Sequence, residues 1–496
     1  MVNPVPYLVI VPLAAGFFIP IFGKRIKPLG GLVAAAAMAA LFLLSLSAAY
    51  LIRVDKALVY NVGNWPPPVG ITMVVDGLSC FMLLIVNTVA LLVSIYATEY
   101  VKRYTDPWKF FSLFMLMVAG MNGVLVSGDL FNLYVFMEIA AIAAYSLVAF
   151  GVEAAQLEAA FKYAVMGAVG SSFIVLGIAF VYSSASTLNL AGIASALSGP
   201  GSTNVVLFAS VLFLMGFGLK AALAPFHAWL PDAHTAAPTP ISAMLSGLLI
   251  KVLGVYVIMR IFFNVFGISA KLSMILISLA VISMVTASFL AFGQTDIKRL
   301  LAYSSISQVG YIMLGMGVGT PLAIMGALFH LFNHSIFKPL LFLSAGAVED
   351  IGGTRDLRYM PGVLASSRLT GYTNLIGALS ICGIPPLGGF WSKLIIIFAC
   401  IQADRPVLAF VAAAVSILTL GYYFKAVTPM LFGTAASSGS PRGNAVGKAR
   451  KKKLALAFAL PLTVLALLSI LGILLLAPGI GRQFLGDALA VLVRGR

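Results

Sequence analysis

Charge is scarce in this chain, and negative charge is scarcest. Of 496 residues only 9% are charged, with 15 Asp and Glu against 31 Lys and Arg. No ordinary soluble domain combines so few ionised groups with 61% hydrophobic residues and a mean hydropathy of +1.06. Cysteine is nearly absent as well. Cys80, Cys382 and Cys400 stand apart in apolar context, which argues against a disulfide framework and offers no ligand spacing for zinc or an iron–sulfur cluster. Long polar stretches are missing except for Gly433 to Lys453, which ends in Lys-Ala-Arg-Lys-Lys-Lys. That segment reads as a solvated loop whose cations also suit a lipid surface.

What fills the chain instead is apolar sequence in runs of about 18–25 residues, the length that crosses roughly 30 Å of hydrocarbon. Fourteen such segments are expected, near 4–22, 29–51, 75–97, 110–127, 130–150, 161–184, 204–223, 241–263, 272–292, 300–318, 321–346, 368–402, 406–432 and 454–477. The fold class is therefore an all-α polytopic membrane protein. Val5 to Phe22 reads as the first helix rather than as a removed leader. The formal charge of +16 would suggest nucleic acid in a soluble protein; here its distribution speaks of orientation. Lys and Arg gather in the odd-numbered connections, from Lys24, Arg25 and Lys27 to the Lys448–Lys453 run, and only Arg53, Lys56, Arg260, Lys271 and Arg405 fall in even ones. The positive-inside rule puts the odd connections in the cytoplasm and both termini outside, with Arg482, Arg494 and Arg496 in the tail pulling weakly the other way.

Two segments break inside the membrane. After Lys220 the chain reads Ala-Ala-Leu-Ala-Pro-Phe-His-Ala-Trp-Leu-Pro-Asp-Ala-His, and Cys382 to Lys393 reads Cys-Gly-Ile-Pro-Pro-Leu-Gly-Gly-Phe-Trp-Ser-Lys. Proline removes a helix hydrogen bond and crowds the preceding turn, so helices seven and twelve are expected to be discontinuous. The breaks lie five segments apart, which divides the chain into helices one to three (1–109), a first repeat of helices four to eight (110–263), an inverted second repeat of helices nine to thirteen (272–432), a cytoplasmic loop (433–453) and helix fourteen with its tail (454–496).

Ionisable residues deep in apolar segments are the functional signal, because each such charge costs roughly 2.5–3.5 kcal/mol on insertion scales. Glu138 in segment five must either pair with a cation or stay protonated. Lys220 precedes the first break, Lys251 sits mid-segment eight, and Lys393 follows the second break. A buried amine gives up its proton more readily once a partnering carboxylate moves away. His330, His334 and Lys338 recur every four residues and share one helix face; a His pair titrates near neutral pH and suits a relay. Ser304, Ser307 and Gln308 offer hydroxyl and amide groups to a water chain, or equally to helix–helix hydrogen bonds. His227, Asp232 and His234 cluster after segment seven as an entrance or exit, and Lys425 near the end of segment thirteen either joins the path or snorkels to the interface. No carboxylate or cysteine completes a metal site around the His pair.

These residues carry a resemblance to the antiporter-like membrane subunits shared by respiratory complex I, Mrp-type multisubunit Na+/H+ antiporters and energy-converting membrane hydrogenases. Its motifs are Gly128-Asp-Leu-Phe-Asn-Leu-Tyr-Val-Phe-Met-Glu138, Lys220 to His234, Asp296 to Tyr311, Phe329 to Pro339 and Gly383 to Lys393, spanning helices three to thirteen. The resemblance implies fourteen helices with inverted repeats and a central axis through Glu138, Lys220, Lys251, His330 or His334, and Lys393, with Glu138 and Lys220 as the switching pair; Asp129 is a further candidate. Lys393 resembles the Mrp D-type and membrane-hydrogenase branch, and the short tail the medium-sized type.

The leading expectation is a proton-translocating subunit of a redox-driven complex, complex I-like or hydrogenase-like, that carries no redox centre or metal itself. Iron–sulfur, flavin or nickel–iron centres would belong to partner subunits, beside further antiporter-like subunits and peripheral redox subunits, in a prokaryotic inner membrane. A subunit of an Mrp-type Na+/H+ antiporter is the alternative, although sodium prefers oxygen ligands and the buried set is mainly amine and imidazole. A secondary transporter for a small organic anion, with the lysines as counter-charges, and a scaffold that has lost pumping complete the field.

Overall fold

The computed structural model describes residues 3–26, 28–197, 203–360, 362–433 and 455–494. Lys27, Arg442, Lys448, Arg450, Lys451, Lys452, Lys453 and Arg496 from the charge argument lie outside that range, as does nearly all of the 433–453 loop.

Helices dominate. In chain order they are α1 (Tyr7–Gly23), α2 (Leu29–Asp55), α3 (Gly77–Tyr100), α4 (Pro107–Val126), α5 (Leu130–Val148), α6 (Ala154–Ala185), α7 (Leu190–Leu197), α8 (Thr203–Lys220), α9 (Trp229–Ala236) and α10 (Thr239–Val265). There follow α11 (Ala270–Phe292), α12 (Ile297–Val318), α13 (Pro321–Gly352), α14 (Arg368–Cys382), α15 (Gly388–Gln402), α16 (Pro406–Phe432), α17 (Leu456–Leu471) and α18 (Ile480–Arg494). Among the described residues ten helices are long and apolar enough to cross a membrane, which makes this a multi-pass integral membrane protein.

Local chemistry sets the ends. Asp76, Asp129, Ser269, Asp296, Thr320 and Ser367 each accept a backbone N–H of the first turn that follows, and Pro107, Pro321 and Pro406 open α4, α13 and α16, where the missing N–H costs nothing. Segments seven and twelve are divided as expected: α8 stops at Lys220 and α9 begins at Trp229, while α14 stops at Cys382 and α15 begins at Gly388. The structure adds an antiparallel hairpin of β1 (Leu58–Asn61) and β2 (Thr72–Val75) that the hydropathy pattern does not signal. Its strands are short and lie in a connection, where no apolar run announces them.

The layering positions the site. α10 is wholly buried and α13 almost so, whereas α2, α6, α16 and α17 keep most of their surface outward. In lipid there is little hydrophobic force between helices, so close approach rests on small residues. Gly120 and Gly123 of α4 lie against Phe136 and Ala140 of α5, and Gly216 of α8 meets Gly170 and Ile174 of α6. The two innermost helices are those that carry Lys251 and the His330–His334–Lys338 face.

Candidate functional site: a buried row of ionisable groups

The row begins with Glu138. Its Oε1 accepts a hydrogen bond from Ser171 Oγ of α6 at 2.5 Å and one from Lys220 Nζ at the end of α8 at 3.1 Å. Lys220 is almost fully buried while Glu138 retains 23% of its side-chain surface, so the pair faces inward at the amine and outward at the acid. The break behind Lys220 is well satisfied. Ala222 takes a positive φ of 55°, Ala224 N donates to Ser283 Oγ at 2.8 Å, and Trp229 Nε1 donates to Leu219 O at 3.1 Å with its ring stacked 4.0 Å from Tyr163. Carbonyls and amides freed by Pro225 thus find side-chain partners, the condition for irregular backbone at membrane depth.

Lys251 follows on α10. It is fully buried, and Nζ donates to the carbonyls of Ser246 and, at 2.8 Å, Gly247 of its own helix. α10 contains wide π turns at Leu245–Leu249, Lys251–Tyr256 and Arg260–Val265. Such turns loosen the carbonyl ladder and occur often at functional sites. Two glycines fix where this helix lies: a Cβ at Gly254 would collide with Ala221, beside Lys220, and one at Gly247 with Pro339, beside Lys338. Lys251 is therefore wedged between the first break and α13.

On α13, His330 contacts Ser392 Oγ through Nδ1 at 2.9 Å and Gln308 Oε1 through Nε2 at 3.2 Å. His334, its ring centroid 6.3 Å away, has no hydrogen-bond partner on either nitrogen among the described residues. Lys338 Nζ donates to Leu301 O at 2.7 Å, to Ser304 Oγ and to Tyr423 Oη at 3.3 Å. Lys393 ends the row behind the second break; its Nζ donates to Ile381 O at 2.7 Å and lies 5.2 Å from the centre of the Tyr311 ring.

The row holds one carboxylate. At a 4 Å separation and an effective dielectric near 20, an opposite charge is worth about 4 kcal/mol, while a typical neutral hydrogen bond nets about 1 kcal/mol. Lys220 is held ionically; among the described residues Lys251, Lys338 and Lys393 meet carbonyls, hydroxyls and aromatic rings but no carboxylate. A displacement of Glu138 therefore changes the first amine far more than any hydroxyl shift changes the others.

Other candidates lie elsewhere. Asp129 caps α5 through Asn132 N at 2.8 Å, and Asp232 pairs at the surface with Lys162 at 3.1 Å and Arg299 at 3.3 Å. Lys425 is exposed and closes the end of α11 by donating to Phe292 O at 2.7 Å and Gln294 O at 3.2 Å. Ser307 is tied to Ser288 of α11 at 2.9 Å. His227 is half-buried in the break. His234 parts company with it and with Asp232: it is fully buried, set edge-on to Phe342 and, among the described residues, unpartnered at both ring nitrogens. The sequence does not single out Ser171, Tyr423 or Ser246, whose hydroxyl meets that of Ser305 at 2.7 Å, and it counts Lys298 as a connection cation, whereas that lysine is buried and its Nζ donates to Ala237 O at 3.0 Å. It also misses the Asp76–Arg260 ion pair, because the charge pattern places Arg260 in a connection. Among the described residues, no three His, Cys, Asp or Glu side chains gather where they could hold a metal ion.

Residues 127–419 match the family described as NADH:quinone oxidoreductase/Mrp antiporter, TM, and residues 62–111 match NADH-Ubiquinone oxidoreductase (complex I), chain 5 N-terminus. The chain is 36% identical over 424 residues to the D-type subunit of the Na(+)/H(+) antiporter of Alkalihalophilus pseudofirmus, covering 85% of each chain. It is also 36% identical over 426 residues to the N-type subunit of the NADH-quinone oxidoreductase of Desulforudis audaxviator, again with 85% of each covered. Among solved structures it resembles a chain of the Mrp complex from a Dietzia species, with a TM-score of 0.88, 28% identity and coverage of 99% of this chain and 98% of that one. A chain of the archaeal membrane-bound sulfane sulfur reductase gives 0.90 and 30%, with the same coverage. The protein belongs to the family of antiporter-like membrane subunits found in Mrp antiporters and complex I-like respiratory complexes.

Proposed function

We propose that this chain translocates protons along Glu138, Lys220, Lys251, His330 and His334, Lys338 and Lys393, as a subunit of a redox-driven membrane complex whose electron-transfer centres lie in other subunits. The observation that carries the reading is the run of these groups through the bundle, from a carboxylate–amine pair at one edge to Lys393 behind the second break. Opening the Glu138–Lys220 contact strips Lys220 of its counter-charge and releases its proton toward Lys251. The amine of Lys251, anchored only by carbonyls of its own helix, passes charge on to the His pair and Lys393.

Fourteen spans and two inverted five-helix repeats are part of the same proposal. In its support, α6 and α13 each run 32 residues. Asp129 and Asp296 each cap a helix, α5 and α12, and each bridges a later loop residue, Asn189 and Asp356, at the same sequence separation. We further assign the odd connections to the cytoplasm of a prokaryotic inner membrane, and further antiporter-like and peripheral redox subunits as partners.

A second reading, a subunit of an Mrp-type Na+/H+ antiporter, is favoured by the Alkalihalophilus relative. One experiment divides them. The intact parent complex in vesicles is compared with its Lys220→Ala form for proton uptake, with and without a sodium ionophore. Loss of sodium-independent uptake in an assembled Lys220→Ala complex supports the redox-pump reading; uptake that depends on a sodium gradient in the wild type supports the antiporter. Uptake unchanged by the substitution overturns the proton path.

A further inference from the structure

His330, His334 and Lys338 recur every four residues on α13, and the same spacing continues through Phe342 and Gly346 to Asp350. Four residues turn a helix slightly more than once, so these positions form a stripe that winds slowly about α13 toward the side assigned above to the cytoplasm. After Lys338 the next ionisable group on the stripe is Asp350, about 18 Å further along the axis. The end of α9 and the start of α10 fill that interval. His234 sets its ring edge-on to Phe342 at 5.4 Å, and Lys338 Nζ lies 6.0 Å from the centre of the same ring. Thr239 lies against Gly346, where a Cβ would come within 2.8 Å of the threonine hydroxyl oxygen. The two polar positions that the stripe lacks are thus supplied by an imidazole and a hydroxyl from outside the helix.

Both residues are fully buried, and among the described residues neither the His234 nitrogens nor Thr239 Oγ1 has a hydrogen-bond partner. A buried polar group left so costs roughly 1–3 kcal/mol, and apolar side chains would fill the same space without that cost. The backbone fixes both in place: Ser242 Oγ donates to His234 O at 2.8 Å, and Thr239 N donates to Tyr100 Oη at 3.2 Å. Three lysines act on His234, Lys338 most strongly and then Lys251 and Lys298, one each from α13, α10 and α12. Lys298 is a buried amine outside the row. Its Nζ donates to Ala237 O, which lies between His234 and Thr239 in the chain. Around it stand Tyr100, Glu349, Arg355 and Asp296. The last three form a partly exposed ion network, Arg355 reaching Asp296 at 3.5 Å and Glu349 at 3.7 Å. Proton-carrying groups therefore succeed one another from surface carboxylates to Lys338.

We propose that Lys298, Thr239 and His234 form a cytoplasmic inlet that reloads the row at Lys338. The neutral amine of Lys298 takes a proton from cytoplasmic water beside Asp296 and Glu349. The resulting ammonium hands a proton through the Thr239 hydroxyl and bridging water to one nitrogen of His234. The imidazolium releases the proton on its other nitrogen to the Lys338 amine once Lys338 has passed its own toward Lys393. Lys298 and His234 end neutral, as they began, and one proton has entered the row. The inlet rests on the proton-path reading and its sidedness, and it runs in the direction that reading requires, inward to Lys338 and on to Lys393.

The test uses the intact parent complex in vesicles, with assembly verified, Lys220→Ala run in parallel and the pH on the cytoplasmic face varied at fixed outer pH. His234→Gln keeps a neutral polar side chain that carries no proton, and it is expected to slow translocation at least about tenfold. What remains should no longer follow cytoplasmic pH between about 5 and 8, where an imidazole titrates. Lys298→Met, which keeps the stem without the amine, should do the same. Thr239→Val deletes a hydroxyl that holds no partner among the described residues, so the complex should assemble, and a severalfold slower rate is expected; it decides the matter where the other two fail to assemble. Wild-type translocation in an assembled variant overturns the inlet, as does a slower rate that keeps the wild-type response to cytoplasmic pH, the mark of a packing role. Translocation lost in Lys220→Ala but kept in His234→Gln and Lys298→Met sinks the inlet alone, whereas translocation kept in all three sinks the path itself.

Discussion

Lys220 and Lys338 are both buried amines, one in residues 110–263 and one in residues 272–432, the two halves proposed above as repeats, yet different chemistry holds them. In the first half an acid on α5, Glu138, and a hydroxyl on α6, Ser171, converge on the cation at the break. In the second half the cation sits on the helix itself, α13, and meets the hydroxyls of Ser304 and Tyr423 and the carbonyl of Leu301; the lysine behind that break, Lys393, has a carbonyl and an aromatic face. The first half is thus built so that one movement changes a full charge pair. In the second, the proposed proton transfer would leave no carboxylate stranded, which suits conduction better than switching.

That contrast breaks most visibly if the acid is removed. Glu138→Ala leaves Lys220 buried beside an empty partner position, and losing one member of a buried pair costs roughly 3–5 kcal/mol. Thermal melts of the purified complex are expected to fall accordingly, and proton uptake to stop. Conversely, Ser304→Asp would give Lys338 the counter-charge it lacks. The amine should then hold its proton, so that uptake slows while the melting temperature stays level or rises; unchanged uptake would mean that Lys338 stands outside the path.

Ser171→Ala sharpens the comparison at smaller scale. It removes one hydrogen bond to a charged group, about 1.5–3 kcal/mol, and leaves the ion pair in place. Uptake should decline without disappearing, and the pH dependence of the rate should shift, which a purely packing role for Ser171 would not produce. The smallest effect belongs to the surface pairs. The Arg358 guanidinium holds the Asp356 carboxyl below the usual carboxylate range. A carboxylate depressed in the folded state stabilises above its unfolded pKa and loses that contribution as pH falls through the lowered value. Asp356→Asn is therefore expected to change neutral-pH stability by well under about 1 kcal/mol, and by still less in acid; a larger shift in a melt would show that this loop does more than close a turn.

Much of the site is legible in the chain because hydrocarbon makes a buried charge conspicuous. Glu138, Lys220, Lys251, His330, His334 and Lys393 stand out against apolar neighbours, and proline marks both breaks. Residues whose type is unremarkable stay hidden: Ser171 is one of four serines in α6, and both it and Ser172 reach a carbonyl of their own helix, so nothing local marks the one that also meets Glu138. Asp76 and Arg260 mislead for the opposite reason. Charges at the ends of apolar segments look like solvated connections, and only packing reveals that these two meet across 184 positions. His234 groups with Asp232 by proximity in sequence, but one short helix turns the acid to the surface and the imidazole inward.

By itself the sequence determined that the chain must live in a bilayer, where its helices run, where two of them break and which few side chains had to justify their charge. Those are consequences of hydropathy, of proline's missing N–H and of the cost of ions in hydrocarbon, and each acts within a few turns of chain. Only the tertiary structure decided that Ser171 joins Lys220 on the Glu138 carboxylate, that α10 loosens into π turns where Lys251 sits, and that Arg260 and Asp76 share a cavity wall. Those outcomes depend on which helix faces meet, and the glycines that let them meet, Gly247 and Gly254, signal a close approach without naming the neighbour.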